Sequence, residues 1–313
     1  MLSGLDQWVT VRGAGGRAPV LVVLHGGPGM PYSVLTPQLA AWERDFTVVQ
    51  WDRRGAGRTF RRHGRACGPV TFARLVDDAE ALCAWLSARL PGAPLVLLSS
   101  SAATPVALPL ALRRPALLAA WVATDVNTGV RSEPGLDATL AWHRAHGARR
   151  DVRFLESISP QPLGRSFAQN ERLLRLMDKA AGPLGVGAVF MPALMRLARH
   201  RPLDFVAVLR GMGFCSRQLF EELRTFDAFA LPSRLEVPLL VLQGEADPFT
   251  PAPAARAWFD HVEAPRKHFE LIPGGGHASA FARSDAFLEF LRRELRELTV
   301  GRPDYTDRIR ERG

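Results

Sequence analysis

Short apolar runs alternate along this chain with longer segments of helical periodicity, and this alternation constrains the fold more than any other feature. The runs rich in Val and Leu that we predict to be strands are Val20–His25, Phe46–Trp51, Pro94–Ser99, Ala119–Asp125, Val237–Gln243 and His268–Ile272. An earlier run, Gln7–Arg12, is predicted to be an antiparallel edge strand. Strands buried on both faces read as continuous apolar runs, so the sequence predicts an α/β protein with a mostly parallel sheet flanked by helices.

The pattern changes in the middle of the chain. Between residues 128 and 233 the strand-like runs give way to helical segments separated by Pro and Gly, for instance Asn170–Ala181 and Pro202–Gly211. The apolar strand pattern resumes at residue 235. We therefore predict a core formed by residues 1–127 and 234–313, with an inserted helical cap at 128–233.

Composition and charge narrow the class of protein. With 313 residues, 47% hydrophobic and 23% charged, the chain is typical of a globular enzyme and not of a disordered protein. The formal net charge of +9 comes from 40 basic residues, of which only Lys179 and Lys267 are lysine. Because the arginines are scattered among acidic residues, we expect a solvated surface and no nucleic-acid partner.

The cysteines and the apolar segments predict where the protein works. Cys67, Cys83 and Cys215 are an odd number over a long chain, which indicates reduced thiols. The amino terminus lacks the pattern of a signal peptide, and no apolar stretch reaches the roughly 20 residues that span a bilayer. We expect a cytoplasmic protein without a membrane partner; the sequence does not indicate an oligomeric state.

A candidate nucleophile follows the third predicted strand, in PLVLLSSSAATPVALPL. A serine at a sharp strand-to-helix turn needs small residues two positions before and after it. Ser101 meets this requirement with Ser99 and Ala103, whereas Ser99 and Ser100 would each have a leucine two positions before them. A polar cluster at the start of a helix is the alternative interpretation of these serines.

The first long strand ends in His-Gly-Gly-Pro-Gly, whose backbone N–H groups can approach a substrate oxyanion closely. Gly27 is the predicted first donor and Ala102, which follows the nucleophile, the second. Gly26 is a predicted substrate-binding residue of the same loop. His25 is expected to hold the loop in place, and an ordinary glycine-rich turn is the alternative.

Two further strands end in a candidate acid and a candidate base. Asp247 lies in the loop of PLLVLQGEADPFTP, and His277 follows the glycines of FELIPGGGHASAF. A neutral imidazole there could accept the Ser101 proton while the carboxylate fixes its tautomer. Glu245 is a competing acid, and Asp125, after another strand, is a second possible acid that we expect to line the substrate pocket. Asp247 could also be a simple turn residue before proline.

Two long stretches carry a resemblance to a known family. The segments LHGGPGMPYSVLTPQLAAWERDFTVVQWDRRGAGRT and APRKHFELIPGGGHASAF resemble the proline iminopeptidase (prolyl aminopeptidase) branch of the α/β-hydrolase superfamily, over about residues 1–127 and 235–298. The order Ser, Asp, His is the one expected of that fold. The resemblance implies an α/β-hydrolase fold and a Ser101–Asp247–His277 triad with an oxyanion hole at Gly27 and Ala102. It also implies hydrolysis of a small amide or ester through an acyl-enzyme, with no metal or organic cofactor.

The chain departs from that branch at three points. The nucleophile turn lacks both glycines of Gly-x-Ser-x-Gly and has Ala102 where an aromatic residue is common. Ala282 stands where a Glu usually follows the histidine, and the cap carboxylates that hold a free amine in the peptidases are not identifiable. The resemblance therefore implies the triad and leaves proline specificity open.

Two other functions stay open at this point. One is a carboxylesterase, or a hydrolase that tailors a specialised metabolite, without aminopeptidase activity; the other is a ligand-binding protein that has kept the fold without catalysis. Residues 128–230 contain 15 basic and ten acidic residues. That surplus of positive charge predicts a preference for neutral or acidic substrates over a prolyl arylamide.

Overall fold

A computed structural model describes residues 1–129, 133–158 and 166–299 of the chain. Its centre is one seven-stranded sheet with the strand order β1-β3-β2-β4-β5-β6-β7. The strands are β1 Trp8–Gly13, β2 Val20–Leu24, β3 Thr47–Asp52, β4 Leu95–Ser100, β5 Ala120–Thr124, β6 Leu239–Gly244 and β7 Lys267–Ile272. β1 pairs antiparallel with β3, and all other pairs are parallel. The predicted strands, including the antiparallel edge strand, are confirmed to within two residues at each end.

Helices cover both faces of the sheet. Outside the middle segment they are α1 Gly57–His63, α2 Phe72–Arg89, α3 Thr104–Arg113, α9 Ala252–His261, α10 Ser279–Ala282, α11 Ser284–Glu294 and α12 Arg296–Thr299. Side chains of β2 alternate between two cores: Val20, Val22 and Leu24 belong to one, and Leu21 and Val23 to the other. Because both faces are buried, the strand is apolar throughout, which explains why its sequence is a continuous run.

Most of the described residues between β5 and β6 are helical, and none of them forms a strand of the sheet. It contains α4 Glu133–Ala145, α5 Arg149–Ile158, α6 Phe167–Ala181, α7 Val186–His200 and α8 Pro202–Thr225. The division of the chain into a core and a cap at residue 128 and residue 233 stays a prediction, and residues 300–313 of the predicted core lie outside the described part.

Helix α8 is longer than the sequence suggested. We predicted an end at Gly211, but the helix continues to Thr225. A Cβ at Gly211 would lie 2.7 Å from the carbonyl oxygen of Gly55, so this glycine provides close contact with the loop after β3 and does not end the helix. The Cys215 thiol, one turn later, donates to the same carbonyl at 3.2 Å.

The helices of the middle segment belong to different apolar clusters. Leu136 of α4, Leu155 of α5 and Leu173 of α6 form part of a small separate cluster. In contrast, Phe190 of α7 packs into one main core and Leu219 of α8 into the other.

Within the described residues no helix taken alone has the length and apolar character needed to cross a bilayer. The consecutive segments Phe167–Leu184 and Val186–His200 reach that length and hydropathy only as a pair, which is bent by 85°.

Candidate active site

Ser101 occupies the sharp turn between β4 and α3. The strand ends at Ser100, and a single 3₁₀ turn over Ser101–Ala103 leads directly into the helix. Ser101 has a φ of +56°, a left-handed conformation that residues with a side chain rarely adopt. The strained strand-to-helix turn predicted from the small neighbours is therefore present.

The glycine loop after β2 packs against this turn. A Cβ at Gly26 would lie 2.8 Å from the Ser100 carbonyl oxygen and 3.0 Å from the Ser101 Cβ, so no larger residue fits there. His25 holds the loop, because its Nδ1 lies 3.0 Å from the Gly26 carbonyl oxygen and its ring contacts the buried guanidinium of Arg53. Burial and the Arg53 charge lower the pKa of His25 well below its usual value, so the ring is neutral.

The two predicted oxyanion donors lie on the cavity that contains Ser101. Gly27 has a φ of +98°, and a Cβ there would lie 2.5 Å from the Cβ of Met30. Gly27 and Ala102 both line the cavity beside Ser101. Gly26, which we predicted to bind substrate, is not among the lining residues and lies directly behind them.

His277 and Asp247 complete a hydrogen-bonded series that starts at Ser101. They follow β7 and β6, and parallel strands present their carboxyl ends at the same edge of a sheet. The Nε2 atom of His277 lies 3.0 Å from Ser101 Oγ, and its Nδ1 lies 2.8 Å from Asp247 Oδ2. Only 7% of His277 and 4% of Asp247 is exposed, so these contacts are shielded from water.

The loop after β6 fixes the Asp247 carboxylate. Its Oδ1 accepts hydrogen bonds from the backbone N–H groups of Phe249 and Thr250, at 2.8 and 3.0 Å. Its Oδ2 accepts from the Thr250 hydroxyl at 2.6 Å. Glu245, the competing acid, points away and accepts a hydrogen bond from the Gly274 N–H.

Three carboxylates set the electrostatics of the imidazole. Burial alone lowers the pKa of His277, but the charges of Asp247, Asp125 and Asp178 raise it to about 9. The protonated ring is thus stabilised by its surroundings. Such an arrangement can take a proton from a serine hydroxyl and hold it as an imidazolium during an acyl transfer.

Asp125 differs from its predicted position. We expected it to line the pocket, but it is only 1% exposed and is not among the lining residues. Its carboxylate lies beneath the site, where it accepts hydrogen bonds from the Ala278 N–H and the Ser100 hydroxyl.

The cavity has a volume of about 840 Å³, and its wall is mostly apolar. Helix α6 contributes four of its five charged residues to this wall, namely Glu171, Arg175, Asp178 and Lys179. Sequence reasoning missed these residues, although positions 171, 175 and 179 are spaced four apart and so share one helix face. The basic surplus of the segment is absent from this part of the wall, which carries two acidic and two basic residues.

Among the described residues, Asp125, Asp247 and His277 also form a cluster with the spacing of a metal site. One ligand atom from each lies within 4.8 Å of the other two. The oxygens of both carboxylates already accept hydrogen bonds from neighbouring N–H and O–H groups. A cation there would have to displace these donors, so the cluster fits proton transfer better than metal binding.

Comparisons with known proteins agree with this architecture. The family model for the alpha/beta hydrolase fold matches residues 19–283. The chain is 23% identical to the probable aminopeptidase YbaC of Bacillus subtilis over 305 residues, 94% of each chain. Its structure is similar to a proline iminopeptidase of Mycobacterium smegmatis (TM-score 0.64, 18% identity, 96% and 97% of the two chains). It is also similar to an enol-lactonase of Burkholderia xenovorans (TM-score 0.58, 19% identity, 93% and 96%).

The resemblance to proline iminopeptidases seen in the sequence is confirmed by these relatives, and the predicted fold class is confirmed with it. The family match spans strands β2 to β7, the serine turn and the histidine loop. The chain therefore belongs to the α/β-hydrolase family.

Proposed function

We propose that this protein is a serine hydrolase that cleaves small amides or esters through an acyl-enzyme on Ser101. The observation that carries the proposal is the 3.0 Å contact between Ser101 Oγ and His277 Nε2 at the wall of a mostly apolar cavity. A serine in a strained turn, hydrogen-bonded to a histidine that a carboxylate orients, is the arrangement that activates a hydroxyl for attack on a carbonyl.

The reaction follows from the positions of these groups. Ser101 Oγ attacks the substrate carbonyl carbon while its proton passes to His277 Nε2. The negative charge that develops on the carbonyl oxygen is stabilised by the N–H groups of Gly27 and Ala102. The imidazolium then protonates the leaving amine or alcohol, and the bond to it breaks. Water, deprotonated by the same imidazole, releases the acid and restores the serine.

Two acidic residues of α6 favour a substrate that carries a free amine. Glu171 and Asp178 line the cavity, and neither forms an ion pair with Arg or Lys within the described residues. Asn170 also lines the cavity, and its buried Oδ1 accepts no hydrogen bond from any described residue. Asp178 Oδ1 accepts a hydrogen bond from the Gly187 N–H, which leaves its negative charge unneutralised. Carboxylates without a basic partner in a low-dielectric cavity suit an ammonium group. The names of the aminopeptidase-like relatives support the same substrate class.

The sequence-based expectation of a neutral or acidic substrate is the alternative. Its premise was a surplus of arginine in the helical segment, and Arg175 and Lys179 on the cavity wall could still bind a carboxylate. The enzyme would then be an esterase or a tailoring hydrolase.

The free, buried state of Cys67, Cys83 and Cys215 supports the proposed cytoplasmic location.

A fluorophosphonate probe tests the proposed nucleophile, since it labels activated serines. We expect labelling of the wild-type protein and none of Ser101→Ala. The matched control is Ser99→Ala, because the Ser99 hydroxyl accepts a hydrogen bond from the Trp121 indole and does not line the cavity. Labelling that survives Ser101→Ala, or an unlabelled wild type, would show that the fold serves binding or uses another nucleophile.

Matched substrates test the substrate class. Measuring kcat/KM for proline p-nitroanilide, its N-acetylated form and a short p-nitrophenyl ester separates the two alternatives. A preference of about tenfold or more for the free amine, about 1.4 kcal/mol in the transition state, supports the aminopeptidase. Faster turnover of the acetylated amide or the ester supports the esterase.

A further inference from the structure

Three residues with side chains share an unusual backbone conformation at the candidate active site. Ser101, Asp125 and Ala278 have φ values of +56°, +51° and +59°. The Asp125 carbonyl oxygen accepts a hydrogen bond from the Ser101 N–H at 3.1 Å, and its Oδ1 accepts one from the Ala278 N–H at 2.9 Å. Asp125 thus accepts hydrogen bonds from the backbone N–H of the candidate nucleophile and from that of the residue that follows His277. Strained backbone of this kind persists only where its surroundings hold it.

The second carboxylate oxygen of Asp125 is equally occupied. Its Oδ2 accepts hydrogen bonds from the hydroxyls of Ser100 and Thr124, at 2.8 and 2.9 Å. The Ser100 hydroxyl in turn lies 2.8 Å from the Tyr32 hydroxyl, which is on the cavity wall. Burial and the charge of Asp247 raise the pKa of the Asp125 carboxyl, whereas the charge of His277 and the hydrogen bonds from Ser100 and Ala278 oppose that rise and favour the ionised form.

We infer that Asp125 is a positioning residue of this site, whose ionised carboxylate braces two strained loops and adds a second negative charge beside His277. The inference rests on the proposed function, because Asp125 acts through Ser101 and His277 and does not reach the cavity.

The charge of Asp125 acts on the imidazole at short range. A carboxylate oxygen of Asp125 lies within 4.8 Å of a ring nitrogen of His277. The other charged groups that act on this ring are Asp247, hydrogen-bonded to Nδ1, and Asp178 of α6. Asp125 in turn faces His277, Asp247 and Tyr32, the last kept protonated by burial and by the charge of Asp125. Asp125 therefore stabilises the imidazolium that forms while Ser101 attacks.

Asp125→Asn separates the effect of the negative charge from the effect of the hydrogen bonds that Asp125 makes to the two loops. The Asn Oδ1 can still accept from the Ala278 N–H, and its NH₂ group can donate to the hydroxyls of Ser100 and Thr124, which rotate. Asn also tolerates a positive φ. The variant therefore keeps the hydrogen bonds and loses only the negative charge. Thr124→Val is the matched control. It removes one hydrogen-bond donor to the Asp125 carboxylate, keeps a side chain of nearly the same size, and leaves the negative charge in place.

The experiment measures the rate of fluorophosphonate labelling between about pH 5 and pH 10. Labelling requires neutral His277, so its rate rises with pH and its midpoint reports the pKa of that residue. In Asp125→Asn we expect the midpoint to fall by about one pH unit and the alkaline plateau to fall about tenfold, because the imidazolium has lost a stabilising charge. Thr124→Val should keep the wild-type midpoint.

Each result decides between the alternatives. A slower plateau with an unchanged midpoint would mean that Asp125 is a structural brace alone, and it would overturn the inference. If Asp125→Asn does not fold, Asp125→Gly replaces it, because glycine accepts this φ without strain and also removes the charge; the same midpoint comparison then decides. Labelling that survives Ser101→Ala refutes the proposed function together with this inference. An unchanged midpoint in protein whose labelling requires Ser101 refutes the inference alone.

Discussion

Asp247→Asn is the substitution that most directly tests how the candidate triad works. Asp247 Oδ1 accepts two backbone N–H groups, so the Asn oxygen should stay in that position. The new NH₂ group then replaces Oδ2, 2.8 Å from His277 Nδ1. It can only donate there, which forces the imidazole proton onto Nε2. That nitrogen faces Ser101 Oγ and can no longer accept its proton.

The expected loss is on the order of 10⁴-fold in turnover, which corresponds to about 5.4 kcal/mol of transition-state stabilisation. The effect on folding is much smaller. The Thr250 hydroxyl can reverse its hydrogen bond, and only the Gln243 amide, 3.3 Å from Oδ2, faces a second donor. We expect a cost of about 1 kcal/mol and a fall in Tm of about 2–4 °C.

The assay is hydrolysis of a p-nitrophenyl ester, with thermal unfolding measured on the same samples. Glu245→Gln is the matched control, because this acid lies in the same loop and accepts its hydrogen bond from Gly274. It should keep activity within about threefold of wild type. The reasoning is refuted if Asp247→Asn keeps more than a tenth of the activity, or if Glu245→Gln is the more damaging change.

Two further substitutions test the packing around the site. Gly26→Ala places a Cβ 2.8 Å from the Ser100 carbonyl oxygen, so the nucleophile turn must shift. Fluorophosphonate labelling should slow about 10²-fold. Urea denaturation should show a free energy of unfolding that is lower by about 1–3 kcal/mol. Labelling at the wild-type rate would contradict this. Asp78→Asn removes the negative charge that lies 2.9 Å from the buried Arg54 guanidinium. The free energy of unfolding, measured in urea, should fall by about 3–5 kcal/mol. Labelling of the folded protein should change little. A stability within 1 kcal/mol of wild type would show that the Arg54 charge finds other partners.

The sequence predicts the sheet and the three candidate catalytic residues well because both depend on local pattern. A strand buried on two faces is apolar throughout, and Ser101, Asp247 and His277 each follow such a strand. The position of Asp125 depends instead on a contact between distant parts of the chain. Its carboxylate is bonded to Ala278, 153 residues later, and no local pattern records that contact.

The same limit applies to the helical segment. The spacing of Glu171, Arg175 and Lys179 shows that they share a helix face, but the sequence does not say that this face is turned towards Ser101. The continuation of α8 past Gly211 is not predictable from the sequence for a related reason. Glycine lowers helix propensity, and the close contact of Gly211 with Gly55 is visible only in the folded chain.

The separate apolar cluster under α4, α5 and α6 bears on how substrate preference can diverge among related chains. The charged wall of the cavity is on α6, whose Leu173, Leu176 and Met177 pack in that cluster and not in the two main cores. The serine, the acid and the histidine are attached to the sheet instead. Substitutions in these three helices, or their exchange as a unit, can therefore alter what the cavity accepts at little cost to the stability of the sheet. One set of candidate catalytic residues can in this way acquire new substrates by local change.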